Sequence, residues 1–388
     1  VTTFEGPPVD GLVERVRALT PMIASTSFEA EAQRRPLNEV IDALKATGVF
    51  RSFVPARYGG YEIDLSTFLD IGFAVAHADP SMGWITTFYM EHNWLLTMFP
   101  EDLQDEIFGS QRYVLAPGSV NPSGRAVPQD DGSFVLSGRW QFGTGICHAD
   151  WTLLSGKVEG DETGLARHFL VPIDDVEVKD TWHVDGMAAT GSRDIVATDV
   201  TIPARNMSLM PAPHLFARPG DPYLLRIPIF PFLSLTAAIP AIGAATRALE
   251  LFEARLFDRV MFGTTRTQSA RVPTQVRLAN LRVQVDFAET LLRAIAARMQ
   301  AHADGAIDLD QIQQQQMRLA IAHVVRQCRD VIREILASSG ASAHYLDHEL
   351  QRIHRDIHMM CAHTVFDIDL VAEGLGRMIV AAHEDPNS

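Results

Sequence analysis

Cysteine is scarce in this chain: Cys147, Cys328 and Cys361 are the only three among 388 residues. They are too few and too scattered for a disulfide framework, which points to a reducing compartment. Positive charge is in deficit too. Lys and Arg number 33 against 48 Asp and Glu, a formal net charge of −15. That balance argues against a nucleic-acid partner and against an anionic membrane surface, since both attract basic faces. The opening VTTFEGPPVDGL has no positive region followed by an apolar run, so no signal peptide is expected. The longest apolar stretch, residues 227–242, is interrupted by prolines and is not expected to span a bilayer. A cytoplasmic protein with no membrane partner is the expectation. No GxGxxG or P-loop pattern is present, which argues against a nicotinamide site of its own, and neither HExxH nor CxxC occurs.

What the chain has is apolar bulk. Hydrophobic residues make up 47% of it, enough for a large core spread over two or three domains. Residues 1–112 read as helical. Pro36 opens PLNEVIDALKATGVF, whose apolar residues recur at helical spacing and whose Gly48 is a natural stop; 65–78 and 82–99 continue in that style. Pro100 then opens the acidic EDLQDEIFG. From 113 to 213 the texture changes to short alternating runs broken by Gly, Pro and Asp, with a hairpin signal at 130–132, which predicts a β-barrel or sandwich. Residues 214–388 return to helical periodicity over 241–262, 274–303, 310–338 and 355–382, which predicts an antiparallel four-helix bundle. The fold class is therefore α+β, in the order α, β, bundle.

The segment RDIHMMCAHTVFDIDLVAEGLGR, 355–377, reads as one amphipathic helix with His363 and Asp367 four residues apart on one face. A carboxylate beside an imidazole fixes its tautomer and raises its basicity, which would make His363 a general base; the alternative is an ordinary histidine with a polar neighbour. His344 with His348, and His354 with His358, are also spaced i,i+4. No third ligand stands at fixed spacing, so no metal site is expected. Two loops carry glycines and hydroxyls: APGSVNPSGRA at 116–126 and SGRWQFGTG at 137–145. Glycines let backbone approach a flat ligand, Thr144 could bond a heteroaromatic nitrogen, and Trp140 could pack on the ring; plain hairpin chemistry is the competing reading.

Together with GMAATGSRDIVATDVTIP at 186–203, RVMFG at 259–263 followed by Gln275, and the RD pair at 355–356, these segments resemble the acyl-CoA dehydrogenase fold superfamily over nearly the whole chain. The resemblance implies an N-terminal helical domain, a middle β-domain and a C-terminal four-helix bundle. In the dehydrogenases of that family a glutamate serves as base, either eight residues after the RD pair or on the first bundle helix. Here the first slot holds Thr364, and residues 222–249 contain no carboxylate. The chain is more similar to the flavin-dependent monooxygenases of the same fold, including the oxygenase component of p-hydroxyphenylacetate hydroxylase, the secosteroid phenol hydroxylases and dibenzothiophene monooxygenase.

That resemblance implies the oxygenase component of a two-component system. Reduced flavin, FMNH2 ahead of FADH2, would react with O2 to a C4a-hydroperoxide and hydroxylate a small phenolic or related aromatic substrate. A separate NAD(P)H:flavin reductase would supply the reduced flavin, and the assembly would be a homotetramer. By the same resemblance His363 is the catalytic base, steadied by Asp367, and His92 in EHNWLL is its partner on the phenol oxygen. Thr144 would face the flavin N5, with Ser119, Trp140, Gly145 and Phe262 at the cofactor and Arg259 on its phosphates. Trp84, Phe88, Trp94 and the IPIFPFLSL loop at 227–235 would supply a dry wall. The alternatives within the fold are oxidation of a nitrogen or sulfur atom, an acyl-CoA dehydrogenase with its base elsewhere, and a non-catalytic relative.

Overall fold

The structure, a computed structural model, describes residues 6–210, 217–218 and 220–384. Helices α1 (Leu12–Arg17), α2 (Thr20–Gln33), α3 (Asn38–Thr47), α4 (Leu65–Ala78), α5 (Pro80–Leu95) and α6 (Glu101–Gln111) occupy the first part. Local chemistry sets their ends. Gly48 closes α3 at a φ of 82°, which a side chain would resist. The carboxylates of Asp64 and Asp79 open α4 and α5 by accepting the backbone N–H of Thr67 (2.8 Å) and Met82 (2.7 Å).

Strands β1 (Gly118–Pro128), β2 (Phe134–Gly143), β3 (Trp151–Val158), β4 (Arg167–Pro172), β5 (Glu177–Lys179), β6 (Arg193–Ile202) and β7 (Met207–Ser208) follow. They form one seven-stranded sheet in the order β5-β6-β2-β1-β3-β4-β7. β1 and β3 run parallel and the other neighbours antiparallel. The sheet encloses a separate apolar cluster that includes Leu136, Trp140, Leu154, Phe169 and Ile195. The expected turn at 130–132 joins β1 to β2, pairing Pro128 with Phe134.

After α7 (Tyr223–Arg226) come α8 (Ile229–Asp258), α9 (Val272–Ala303), α10 (Gln311–Ser339), α11 (Glu349–Cys361) and α12 (Ile368–Glu384). The expected boundary at 213/214 lies outside the described residues. Two expectations need correction here. Residues 229–235 are not a loop but the first turns of α8, because Pro231 falls where a helix has no N–H to bond. By length and composition α8 could cross a membrane, but 83% of its apolar window is buried within the protein. It packs against α4 and α5 as well as α10, and Gly243 approaches so closely that a Cβ there would lie 2.6 Å from that of Ala76.

Nor is 355–377 one helix. It breaks between α11 and α12 at a short 3-10 turn, Thr364–Phe366. The two side chains flanking the break hold it open. His363 Nδ1 accepts from the Val365 N–H (3.2 Å), and Asp367 Oδ1 accepts from the Leu370 N–H (3.0 Å).

A buried ionic cluster joins the domains. Arg352 of α11 bonds Asp79 at the head of α5 and lies 3.6 Å from Asp356. Asp356 in turn accepts the Met187 N–H at 2.5 Å, and Arg355 bonds the Asp185 carbonyl. At Gly186, between those two contacts, a Cβ would overlap the Arg355 carbonyl oxygen. The RD pair thus clamps the 185–187 loop of the β-domain to the bundle. Taking Asp356 out of water pushes its pKa up to about 7, against the pull of Arg352.

Candidate active site

One face of α5 carries Trp84, Phe88 and His92 at helical spacing, and the three rings form a ladder. Trp84 and Phe88 stack with centroids 4.7 Å apart, and Phe88 meets His92 edge-on at 5.7 Å. His363, freed from helical geometry by the break after α11, reaches the other end of the ladder, with its ring 5.6 Å from Trp84. The Trp84 indole N–H points across the cleft to the Thr144 hydroxyl at 3.4 Å. Residues 84, 88, 92, 144 and 363 therefore converge on one cleft between α5, the β-domain and the α11–α12 break.

The two histidines hold opposite tautomers. His92 Nδ1 lies 2.8 Å from the Ala116 carbonyl, which can only accept, so Nδ1 carries the proton and Nε2 offers a lone pair. His363 Nδ1 accepts from a backbone N–H, so its proton sits on Nε2. Desolvation lowers both rings to about 4, so both are neutral near pH 7. The His363 residue keeps exposed surface, yet the surrounding protein crowds its ring closely enough to produce that shift. His92 is 7% exposed.

Hydroxyl groups run inward from the cleft. Thr144 is 3.1 Å from Ser192, Ser192 is 2.7 Å from Thr190, and Thr190 donates to the Met187 carbonyl at 2.8 Å. Met187 is the residue whose N–H is held by Asp356, so the row ends on the interdomain clamp.

Several expected site residues stand elsewhere. Asp367 does not steady His363; its carboxylate caps α12, and the backbone N–H of Val365 sets the imidazole instead. Trp140 is not on the cleft. It is fully buried in the β-domain's own core, with its indole on the Ser155 carbonyl at 2.7 Å. The alternation of β2 turns it inward, and an irregularity before Gly143 turns Phe142 outward at a φ of 71° instead. Gly145 has both backbone groups engaged within the protein, its N–H by the Thr190 carbonyl (2.9 Å) and its carbonyl by the Tyr89 hydroxyl (2.5 Å). Ser119 is half-buried near the start of β1, three residues after the Ala116 that holds His92. Trp94 is core, bonding the Leu224 carbonyl (2.7 Å), as are Ile227, Phe232 and Leu235.

Arg259 and Phe262 lie at the far end of α8. The Arg259 guanidinium bonds the Ser339 carbonyl (2.9 Å), and Phe262 is fully exposed. Thr236 of α8 meets Thr87 of α5, and the 23 residues from there to Arg259 span about 35 Å of helix.

Sequence reasoning missed Glu91, Thr190 and Ser192. Glu91 is 1% exposed with Oε1 unpartnered and Oε2 3.5 Å from His92 Nε2. Burial raises its pKa well above the usual carboxylate value, so it is a neutral acid beside the His92 ring. Its place immediately before His92 was the available signal. The hydroxyls of TGS at 190–192 gave none until the fold set them beside Thr144.

A flat aromatic plate, one accessible hydroxyl and two neutral imidazoles suit a planar heteroaromatic group with polar edges. With no carboxylate open to the cleft at either customary position, the site lacks a dehydrogenase's base. Residues 235–368 match the family "Acyl-CoA dehydrogenase, C-terminal domain". A pigment production hydroxylase from Rhodococcus sp. is 31% identical over 373 residues, 94% of this chain and 95% of that one. The p-hydroxyphenylacetate 3-hydroxylase oxygenase component of Acinetobacter baumannii is 28% identical, covering 99% of this chain and 93% of its own. The solved structure of XiaF from Streptomyces sp. in complex with FADH2 and glycerol superposes with a TM-score of 0.89 at 26% identity, over 95% of each chain. The chain belongs to the oxygenase components of flavin-dependent monooxygenases built on the acyl-CoA dehydrogenase fold, and it is an oxidoreductase that uses flavin and O2.

Proposed function

We propose that this oxygenase hydroxylates a phenolic or related aromatic compound, bound against Trp84 and Phe88 between His92 and His363. The bound reduced flavin supplies two electrons; one atom of O2 enters the substrate ring and the other leaves as water. The observation that carries the reading is the pair of opposite tautomers. His92 Nε2 can accept a phenol O–H, while His363 Nε2–H can donate to an oxygen on which negative charge grows.

The magnitudes limit what the histidines do. A phenol of pKa near 10 faces imidazoles lowered to about 4. Full proton transfer would cost about 8 kcal/mol before the attraction between the products is counted. Sharing the proton by hydrogen bonding, rather than removing it, is the role that fits. In this reading Thr144 meets the flavin N5 and Ser119 lies near the ring system; the support for Thr144 is its hydroxyl 3.4 Å from the Trp84 indole nitrogen. Trp84 and Phe88 keep water from the reacting atoms.

Arg259 and Phe262 are too far along α8 to reach a flavin at their own chain's Thr144, so a second copy supplies them. An apolar stripe on α9, Val276, Val283, Phe287 and Leu291, is exposed and supports such assembly, here read as a homotetramer. Reduced flavin comes from a separate NAD(P)H:flavin reductase. The three free cysteines suit a cytoplasmic setting.

The test is anaerobic loading with reduced FMN or FAD, mixing with oxygenated buffer, and product analysis across phenols, a thioether and an amine. Hydroxylated phenols with little peroxide support the reading. Oxidation of the thioether or amine alone, with phenols untouched, would overturn it.

A further inference from the structure

The row of hydroxyls behind Thr144 has a direction. Each hydroxyl has a single proton to give. Thr190 gives its own to the Met187 carbonyl (2.8 Å), which can only accept. At its 2.7 Å contact Thr190 must therefore accept, so Ser192 is the donor there. Ser192, its proton spent, must accept from Thr144 across 3.1 Å. At the open end the Trp84 indole, which can only donate, delivers its N–H to Thr144. The order is Trp84 to Thr144 to Ser192 to Thr190 to Met187. Ser192 and Thr190 are buried, and Thr144 alone reaches the cleft.

We propose that Ser192 and Thr190 are positioning residues that draw the Thr144 proton inward, leave its oxygen to the flavin as a lone-pair acceptor, and so make the site select reduced over oxidised flavin. This rests on the reading that places Thr144 at the flavin N5. Reduced flavin carries a hydrogen on N5 and can donate it to Thr144. Oxidised flavin presents a bare N5 that needs a donor, and the only proton on Thr144 is committed to Ser192. A system fed by a separate reductase gains from this, because the spent cofactor is the more weakly held form.

The test is the ratio of dissociation constants for oxidised and reduced flavin. It is measured by equilibrium titration, under anaerobic conditions for the reduced form, with no turnover involved. In wild type the oxidised form should bind more weakly. Ser192→Ala releases the Thr144 proton to serve the oxidised N5, while the Thr144 lone pairs still accept from reduced flavin. The ratio should fall about tenfold, the worth of one hydrogen bond, through tighter oxidised binding. Ser192→Thr should restore the ratio. Thr190→Val provides a second route, because it frees the Ser192 proton to turn toward Thr144, and it should shift the ratio in the same direction. Loss of affinity for both forms with an unchanged ratio would mean a merely structural role and would overturn the inference. A wild-type chain that fails to bind reduced flavin at all would instead overturn the functional reading beneath it.

Discussion

His92 and His363 stand at opposite ends of one aromatic ladder and keep their protons on opposite ring nitrogens, Nδ1 in His92 and Nε2 in His363. One is a hydrogen-bond acceptor toward the cleft and the other a donor. Their replacement should therefore have distinguishable consequences.

His363→Ala removes the donor that meets charge developing on the substrate oxygen. Its product yield per turnover should fall about 10²-fold or more, with reduced-flavin binding retained and the missing oxygen recovered as hydrogen peroxide. His363→Gln keeps an N–H and should recover part of the loss, whereas a carboxylate at that position should not. Quantifying product and peroxide after a single turnover checks this; full product yield from the alanine variant would remove His363 from the chemistry.

Thr144→Val keeps the volume and deletes the hydroxyl. Peroxide release should rise at the expense of product, because the flavin edge loses its partner and the Trp84 indole N–H its acceptor. The readout is the peroxide-to-product ratio at saturating substrate.

Acid should inactivate and destabilise the protein over a defined window. Burial holds His92 and His168 at about 4 in the folded chain, against about 6.5 when unfolded. Between those values the unfolded chain binds more protons than the folded one. Stability is then intact above about pH 6.5 and is lost as pH falls toward 4. Urea midpoints at stepped pH should show that decline, and His168→Asn, whose ring is remote from the cleft, should flatten it without moving the pH profile of turnover.

Gly186→Ala drives a methyl into the Arg355 carbonyl where the β-domain loop is clamped to α11. A cost of about 1–3 kcal/mol is expected, seen as a lower urea midpoint. Gly376→Ala in α12, where a Cβ meets nothing within 4 Å, should be neutral or stabilising and serves as the control.

Phe287→Glu places a charge in the middle of the exposed α9 stripe. Sedimentation should show a smaller particle, and flavin affinity should fall with it because Arg259 and Phe262 would no longer reach a neighbouring site. A variant that stays fully assembled would separate the stripe from the interface.

Much of the architecture was legible before folding. Gly48, Asp64, Asp79 and Pro100 punctuate the helices where short-range capping demands it, and the switch from helical to alternating periodicity near residue 113 marks the sheet, because both signals are local. His363, His92 and Thr144 could be singled out by resemblance, and the cleft unites them. Their roles could not be read that way. The i,i+4 spacing of His363 and Asp367 suggested a shared helical face, but two side-chain caps break the helix there and part them. Trp140 and Phe142 look equivalent in sequence, and only the sheet's irregularity turned one inward and the other out.

Capping residues and periodicity, which act over a few turns of chain, set the order of helix, sheet and bundle; the missing acid at both customary base positions and the residues of a monooxygenase site were legible only through the family resemblance. The three-dimensional packing was needed to set which nitrogen of each histidine carries its proton and which way the hydroxyl row behind Thr144 points. His92 takes its partner from Ala116, and Thr144 its partners from Ser192 and Trp84, 24 to 60 residues away, while the Val365 N–H, only two residues from His363, meets that ring because the helix breaks there.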